Sequence, residues 1–422
     1  MDLFKTLKNA WRVPELRKRL IYTLWMFLFI RIGVAITVPG VDRQLLAAAN
    51  AASTGSGFIK DFMGMITGGA SEDLALFALG VGPYITASII MQLLQVAITK
   101  LEELSKEGED GKKKMNKYTR YVALGLAVIN AWALVLSKRN VLVDDSIWTM
   151  LLVMVAFIAG SMLVMWIGEQ ITANGIGNGT SLYIFISIIY KLPTNFGAIF
   201  VLNKEKIYIP ILVIIAFIAL IGFTVFMAQG ERRVSVQYAK RMAGRKIYGG
   251  QSQYIPIKVN LAGVLPIIFA LSIMNFPQVV INLTGAQVSE NWQMVLNFLS
   301  WTHPVGTVVY IILIFAFAFF YSTIAFKPME IASNMKKSGG FIPGIRPGKP
   351  TSDYLVTLGT RITLLGAIFL SILAVMPLAF HYIFGVDVAF SGTSLLIVVG
   401  VVIETLKQME SQMLMRHYKG FL

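Results

Sequence analysis

The sequence predicts an all-α polytopic membrane protein, with ten transmembrane helices in two inverted five-helix halves around a central path. Three observations lead there. Hydrophobic residues make up 56% of the 422-residue chain and charged residues only 14%, against about 45–50% and about 25% in soluble domains. The apolar excess is laid out in blocks close to the roughly 20 residues that cross a hydrocarbon core. Two short motifs also recur at matching places in the two halves of the chain.

Ten blocks read as spans: about 20–38, 74–98, 121–136, 147–167, 180–190, 207–227, 261–281, 305–326, 354–380 and 393–405. The fifth and tenth are short and lean on flanking polar turns. Residues 1–19 form a mixed-charge amphipathic segment rather than a cleavable signal, because the apolar run behind them is full length. The expected divisions are this segment, a first half at 20–192, an external hinge at 193–206, a second half at 207–405 and a tail at 406–422. No cysteine occurs, which excludes a disulfide framework, a thiolate nucleophile and zinc–thiolate sites.

Lysine and arginine set the orientation. The N-terminal segment, the loops after even-numbered spans and the tail hold 28 of the 37 basic residues. The loops after odd-numbered spans hold 7, and Arg31 and Arg361 fall inside spans. Both termini are therefore expected in the cytoplasm, together with two long loops at 228–260 and 327–353. The first, "AQGERRVSVQYAKRMAGRKIYGGQSQYIPIKV", carries one acid, Glu231, among many basic residues and ends in strand-like alternation. It is either a heavily charged topology signal or a docking surface for an acidic partner, such as ribosomal RNA or a cytosolic motor. The second holds "KKSGGFIPGIRPGKPTSDY" (336–354), whose Pro343, Pro347 and Pro350 make it a stiff finger. Arg346 sits between two of those prolines, and a guanidinium fork there suits carboxylate or phosphate.

The repeats point to a path. "LGVGPYITASIIMQ" (79–92) opens the second span and "LAGVLPIIFALSIM" (261–274) opens the seventh, sharing Gly-Val-x-Pro-x-Ile. "GNGTSLYIFI" (177–186) leads into the fifth and "SGTSLLIVVG" (391–400) into the tenth. A repeat of five spans is inverted, and glycine/proline-interrupted helices at corresponding positions mark a midplane path. The alternative is that these residues only permit close helix packing. Aliphatic side chains dominate this path, and no Asp or Glu lies mid-span. An ion-coupled secondary transporter of small solutes, the competing reading, needs such a carboxylate or an ion cage.

Between the first two spans, "GSGFIKDFMGMITGGASED" (55–73) is too short to cross and suits either a re-entrant stopper or an interfacial helix. No phosphate-binding loop or nucleophile–base pair is present, and the three histidines are scattered. No catalytic residue, metal or cofactor is expected.

Several blocks resemble the SecY family, the central subunit of the bacterial Sec protein-conducting channel. They are "FIRIGVAITVPGVD" (29–42), "ALGVGPYITASIIMQLLQ" (78–95), "KEGEDGKKKMNKYTRY" (106–121), "MWIGEQITANGIGNGTS" (165–181), "VQYAKRMAGRKIYGGQSQYIPIKVNLAGVLPIIFA" (236–270), "NMKKSGGFIPGIRPGK" (334–349) and "SGTSLLIVVG". The resemblance implies a passive pore for unfolded polypeptides in the bacterial plasma membrane, with a lateral exit for transmembrane segments. It implies a pore ring at Val81, Ile85, Thr180, Ile184, Ile268 and Ile397, where Thr180 departs from the usual aliphatic residue. It also implies a plug at 57–70 containing Phe58, Ile59, Phe62, Met63, Met65 and Ile66, and a lateral gate including Gln92 and Asn275. Arg241, Arg245, Lys246 and Arg346 would dock partners. Those partners would be SecE, SecG, the SecA ATPase, the ribosome, an unfolded polypeptide with a signal sequence, and membrane lipids.

Overall fold

Proline and capping groups set where many helices begin. Pro14, Pro83, Pro304 and Pro328 occupy first-turn positions, where a missing N–H costs nothing. Ser146 Oγ and His303 Nδ1 accept the N–H groups of Trp148 and Val305. A computed structural model describes residues 11–52, 64–144, 146–202, 206, 208–238, 241–243, 246–248, 252–261, 263–284, 303–384 and 392–419.

The helices among these residues are α1 (Pro14–Ala35), α2 (Arg43–Ala52), α3 (Gly82–Ala97), α4 (Thr99–Lys106), α5 (Glu109–Ser137), α6 (Ile147–Asn174) and α7 (Gly179–Leu202). They continue with α8 (Tyr208–Gln229), α9 (Leu265–Thr284), α10 (Pro304–Ala325), α11 (Pro328–Lys337), α12 (Lys349–Phe384) and α13 (Gly392–Lys419). A helix stands at each of the ten predicted spans. Among the described residues six spans are long and apolar enough to cross a membrane by themselves. α3 and α4 meet that test only together, across a bend of 104°.

Several boundaries differ from the sequence reading, four of them in ways that bear on the site. The apolar run starts the second span at 74, but α3 starts at Gly82. Residues 68–81 are a run of turns, ten of the fourteen buried. Their apolar character serves packing inside the protein rather than contact with lipid, and hydropathy does not separate the two. The fifth span continues through Pro193 to Leu202, so most of the expected hinge is helical. The ninth begins at Lys349, with Pro350 in its first turn, and the tenth runs on to Lys419 through most of the expected tail.

The chain divides into two compact units, Met1–Leu202 with Gln278–Gln287 and Val401–Leu422, and Asn203–Pro277 with Val288–Gly400. In the first, Thr119, Ala123, Ala127, Ala131 and Val135 are buried at four-residue spacing along α5. Such a small-residue face lets neighbouring backbones approach closely. Ala127, Ala131 and Val135 share a core with Val153 and Phe157 of α6 and with Leu74, Ala78 and Leu79.

In the second unit, α10 packs on α12 through a buried 2.5 Å hydroxyl pair, Ser322 and Thr363. Here the purely helical expectation gains a small sheet. Strands β1 (Glu231–Tyr238), β4 (Ser252–Lys258) and β5 (Gly340–Phe341) are antiparallel in the order β4-β1-β5. β2 (Arg241–Ala243) and β3 (Lys246–Tyr248) form a separate hairpin. The alternation in "SQYIPIKV" is β4, an edge strand, which is where Pro256 is tolerated. Val234, Val236 and Ile257 bury one sheet face on Met335, Ile342, Leu355 and Ile362. The two long loops, distant in sequence, thus share one core.

Candidate functional site

The repeated motif folds the same way twice. Gly80 and Gly263 have φ of +52° and +64°, the left-handed region that other residues resist. The next residue caps the helix in each copy. Val81 O accepts from Ile85 N at 2.9 Å, and Val264 O accepts from Ile268 N at 3.3 Å. The second motif also starts its two helices at the same residue, Gly179 in α7 and Gly392 in α13.

Of the expected ring residues in the first unit, Val81 and Ile184 are buried, and Ile85 and Thr180 half-buried. Thr180 is less polar than its identity suggests. Its hydroxyl donates to Asn178 Oδ1 at 2.6 Å, and its methyl packs beside Gly168. Asn178 also accepts the N–H groups of Thr180 and Ser181, capping α7. In the second unit Ile397 is buried and Ile268 half-buried. Gln92 is half-buried on α3. Asn275 lies within α9, and its side chain falls outside the described residues.

The segment 64–81 is clamped by three helices of the same unit. From α6, Ser161 Oγ donates to Gly80 O at 3.0 Å. α1 offers Gly33, against which the Phe77 ring packs where a Cβ would stand. On α7, Tyr183, Ser187 and Lys191 follow one another at four-residue spacing along one face. A Cβ on Gly80 would lie 3.2 Å from Tyr183 Oη, one on Gly68 3.3 Å from Ser187 Cα, and one on Gly69 2.9 Å from Lys191 Cε. Arg31 stacks on the Tyr190 ring, 3.3 Å from its centroid. Its Nη1 lies 2.9 Å from where a Gly68 Cβ would fall. Within the expected plug, Met65 is buried and Ile66 half-buried. Phe58, Ile59, Phe62 and Met63 lie outside the described residues.

On the finger, Arg346 is exposed. Its carbonyl accepts from the hydroxyl of buried Thr351 at 2.8 Å. Gly344 and Gly348 on either side have φ of +83° and +107°. Arg241 and Lys246 fall in β2 and β3, and Arg245 lies outside the described residues. In β1, Arg233 Nε donates to Glu231 at 2.8 Å, and its guanidinium sits 4.8 Å from the Tyr254 ring centroid. The Glu231 hydrogen bond holds the Arg233 pKa above its ordinary value.

Sequence reasoning missed three groups: the Glu72–Lys191 pair, the bidentate Arg120–Glu169 pair (2.8 Å on both arms) that joins α5 to α6, and Thr351. The first two join residues 119 and 49 positions apart, and a single chain carries no signal for such partners. The Gly68-Gly69 doublet was the available clue, since it marks a surface approached closely.

The family model for SecY matches residues 75–406. The protein translocase subunit SecY of Streptomyces galbus is 42% identical over 433 residues, covering 98% of each chain. The chain belongs to the SecY family. Two solved structures share the SecY fold. A protein-conducting channel matches with TM-score 0.68 at 19% identity, covering 96% of each chain. Sec61 in a canine ribosome–channel complex from the endoplasmic reticulum matches with TM-score 0.61 at 17% identity, again covering 96% of each. In this SecY-family chain the Gly-Val-x-Pro-x-Ile start of α3 falls inside the matched region, as does its copy in α9.

Proposed function

We propose that this chain is the channel subunit of a bacterial Sec translocase, a passive pore that moves unfolded secretory polypeptides and releases transmembrane segments into lipid. One observation carries the reading: Gly80–Ile85 and Gly263–Ile268 build the same glycine-hinged, valine-capped helix start. Duplicated interruptions of this kind belong to a midplane path. Both copies bring aliphatic residues rather than carboxylates to it, which suits a chain of arbitrary sequence and gives ions nothing to replace their hydration. The solute-transporter alternative is set aside by membership of a protein translocase family.

Within that function Val81, Ile85, Thr180, Ile184, Ile268 and Ile397 line the constriction, and the segment 57–70 is its stopper. Gln92 and Asn275 belong to the lateral gate. Arg346, presented by two prolines and two left-handed glycines, is a contact for the driving partner, with Arg241, Arg245 and Lys246 beside it in function. SecE and SecG complete the translocase, and the SecA ATPase or the ribosome drives it. The chain resides in the plasma membrane with both termini in the cytoplasm, an orientation that the 28 to 7 distribution of basic residues supports.

Reconstitution tests the proposal. Proteoliposomes holding this chain with SecE and SecG, given SecA and ATP, should protect a radiolabelled preprotein from added protease. Protection equal to that of empty liposomes would refute it.

A further inference from the structure

Glu72 Oε2 lies 2.5 Å from Lys191 Nζ, and the two side chains keep only 30% and 18% of their surface open. The position of Glu72 is tightly determined. Its N–H and that of Asp73 donate to Gly69 O at 3.0 and 3.1 Å. Asn50 Nδ2 donates to Glu72 O at 3.1 Å. Gly69 N–H in turn donates to Gly64 O at 2.7 Å. The Glu72 carboxylate fills the space that a Cβ on Gly64 would take. Gly64 is thereby covered by a side chain whose charge is tied to α7.

We infer that Glu72 and Lys191 form a latch on the root of the stopper and so set how strong a signal a client must carry. The inference rests on the stopper reading of 57–70. A stopper that leaves its seat moves the backbone at Gly64, which either separates Glu72 from Lys191 or drags the turn off α7. The pair is therefore made in the closed state and lost in the open one, and only such differential interactions shift a two-state equilibrium. Removing one partner leaves the other charge half-buried and uncompensated. Arg31 approaches Gly68 in the same turn, with its Nη1 buried.

The test uses the whole translocase in planar bilayers and proteoliposomes. The variants are Glu72→Gln, Lys191→Gln, the exchange Glu72→Lys with Lys191→Glu, and a deletion of 57–63. Each single variant should raise resting ion conductance about tenfold, the change that about 1.4 kcal/mol produces. Each should also raise export of a preprotein with a defective signal, with intact-signal export unchanged. The exchange should return both towards the parent. Glu72→Gln is nearly isosteric, so its conductance decides the matter even if Lys191→Gln fails to assemble. A leaky deletion beside single variants that match the parent would overturn the latch and leave the stopper standing. A deletion with parental conductance would overturn both. An exchange as leaky as the singles would show that pairing is not the cause.

Discussion

Gly80 and Gly263, 183 positions apart in the chain, hold the same left-handed conformation at the same step before a helix. In each copy the following valine carbonyl takes the N–H of an isoleucine four residues on. Shared small residues in apolar sequence arise easily by chance. A shared positive φ followed by a shared cap does not.

The first prediction separates strain from contact at this motif. Gly80→Ala should destabilise by about 1–2 kcal/mol from the left-handed backbone alone. It should cost more because the new Cβ meets Tyr183 Oη and Thr67 Cγ2 at 3.2 and 3.3 Å. Gly263→Ala meets nothing within 4 Å among the described residues, so there it carries only the strain. Thermal unfolding of the detergent-solubilised translocase should show both variants lowered in Tm, Gly80→Ala further.

The seal is tested by polarity. Changing Ile85 and Ile268 together to Asn would give ions and water hydrogen-bonding partners at the proposed constriction, where aliphatic walls favour dewetting. Single-channel recording should show a higher resting conductance, with the complex still assembled. An unchanged conductance would remove these residues from the seal.

On the finger, Arg346→Glu should abolish SecA-driven translocation. Arg346→Lys should impair it, because lysine lacks the planar fork. Thr351→Val removes the hydroxyl that holds the Arg346 carbonyl and leaves a polar group unpaired, an effect of about 1–3 kcal/mol where buried. It should lower translocation partially, and Thr351→Ser should restore it. SecA-dependent protease protection in proteoliposomes measures all four variants. Were Arg346 a topology charge only, all four would translocate normally.

Much of this architecture is legible in the sequence, since the spans and the repeat follow from local composition. The apolar run from 74 to 81 was read as helix because hydropathy reports burial without saying whether lipid or protein does the burying. The sequence pattern ends the fifth span at 190, yet α7 continues through Pro193 to Leu202. The basic residues proposed to dock partners stand out in the sequence as charge. What holds them does not, because Thr351 is an ordinary helix-start threonine until its hydroxyl is seen on the Arg346 carbonyl. Ion pairs between separate elements, such as Glu72 with Lys191, were invisible for the same reason.

The central claim is that a polypeptide passes the glycine-hinged starts of α3 and α9. Photocrosslinking probes at Ile85, at Ile268 and at Phe226, an exposed position on α8, put it to the most direct test. A secretory chain stalled during translocation should crosslink at Ile85 and Ile268 and not at Phe226. Crosslinking at Phe226 with none at the two isoleucines would contradict the account.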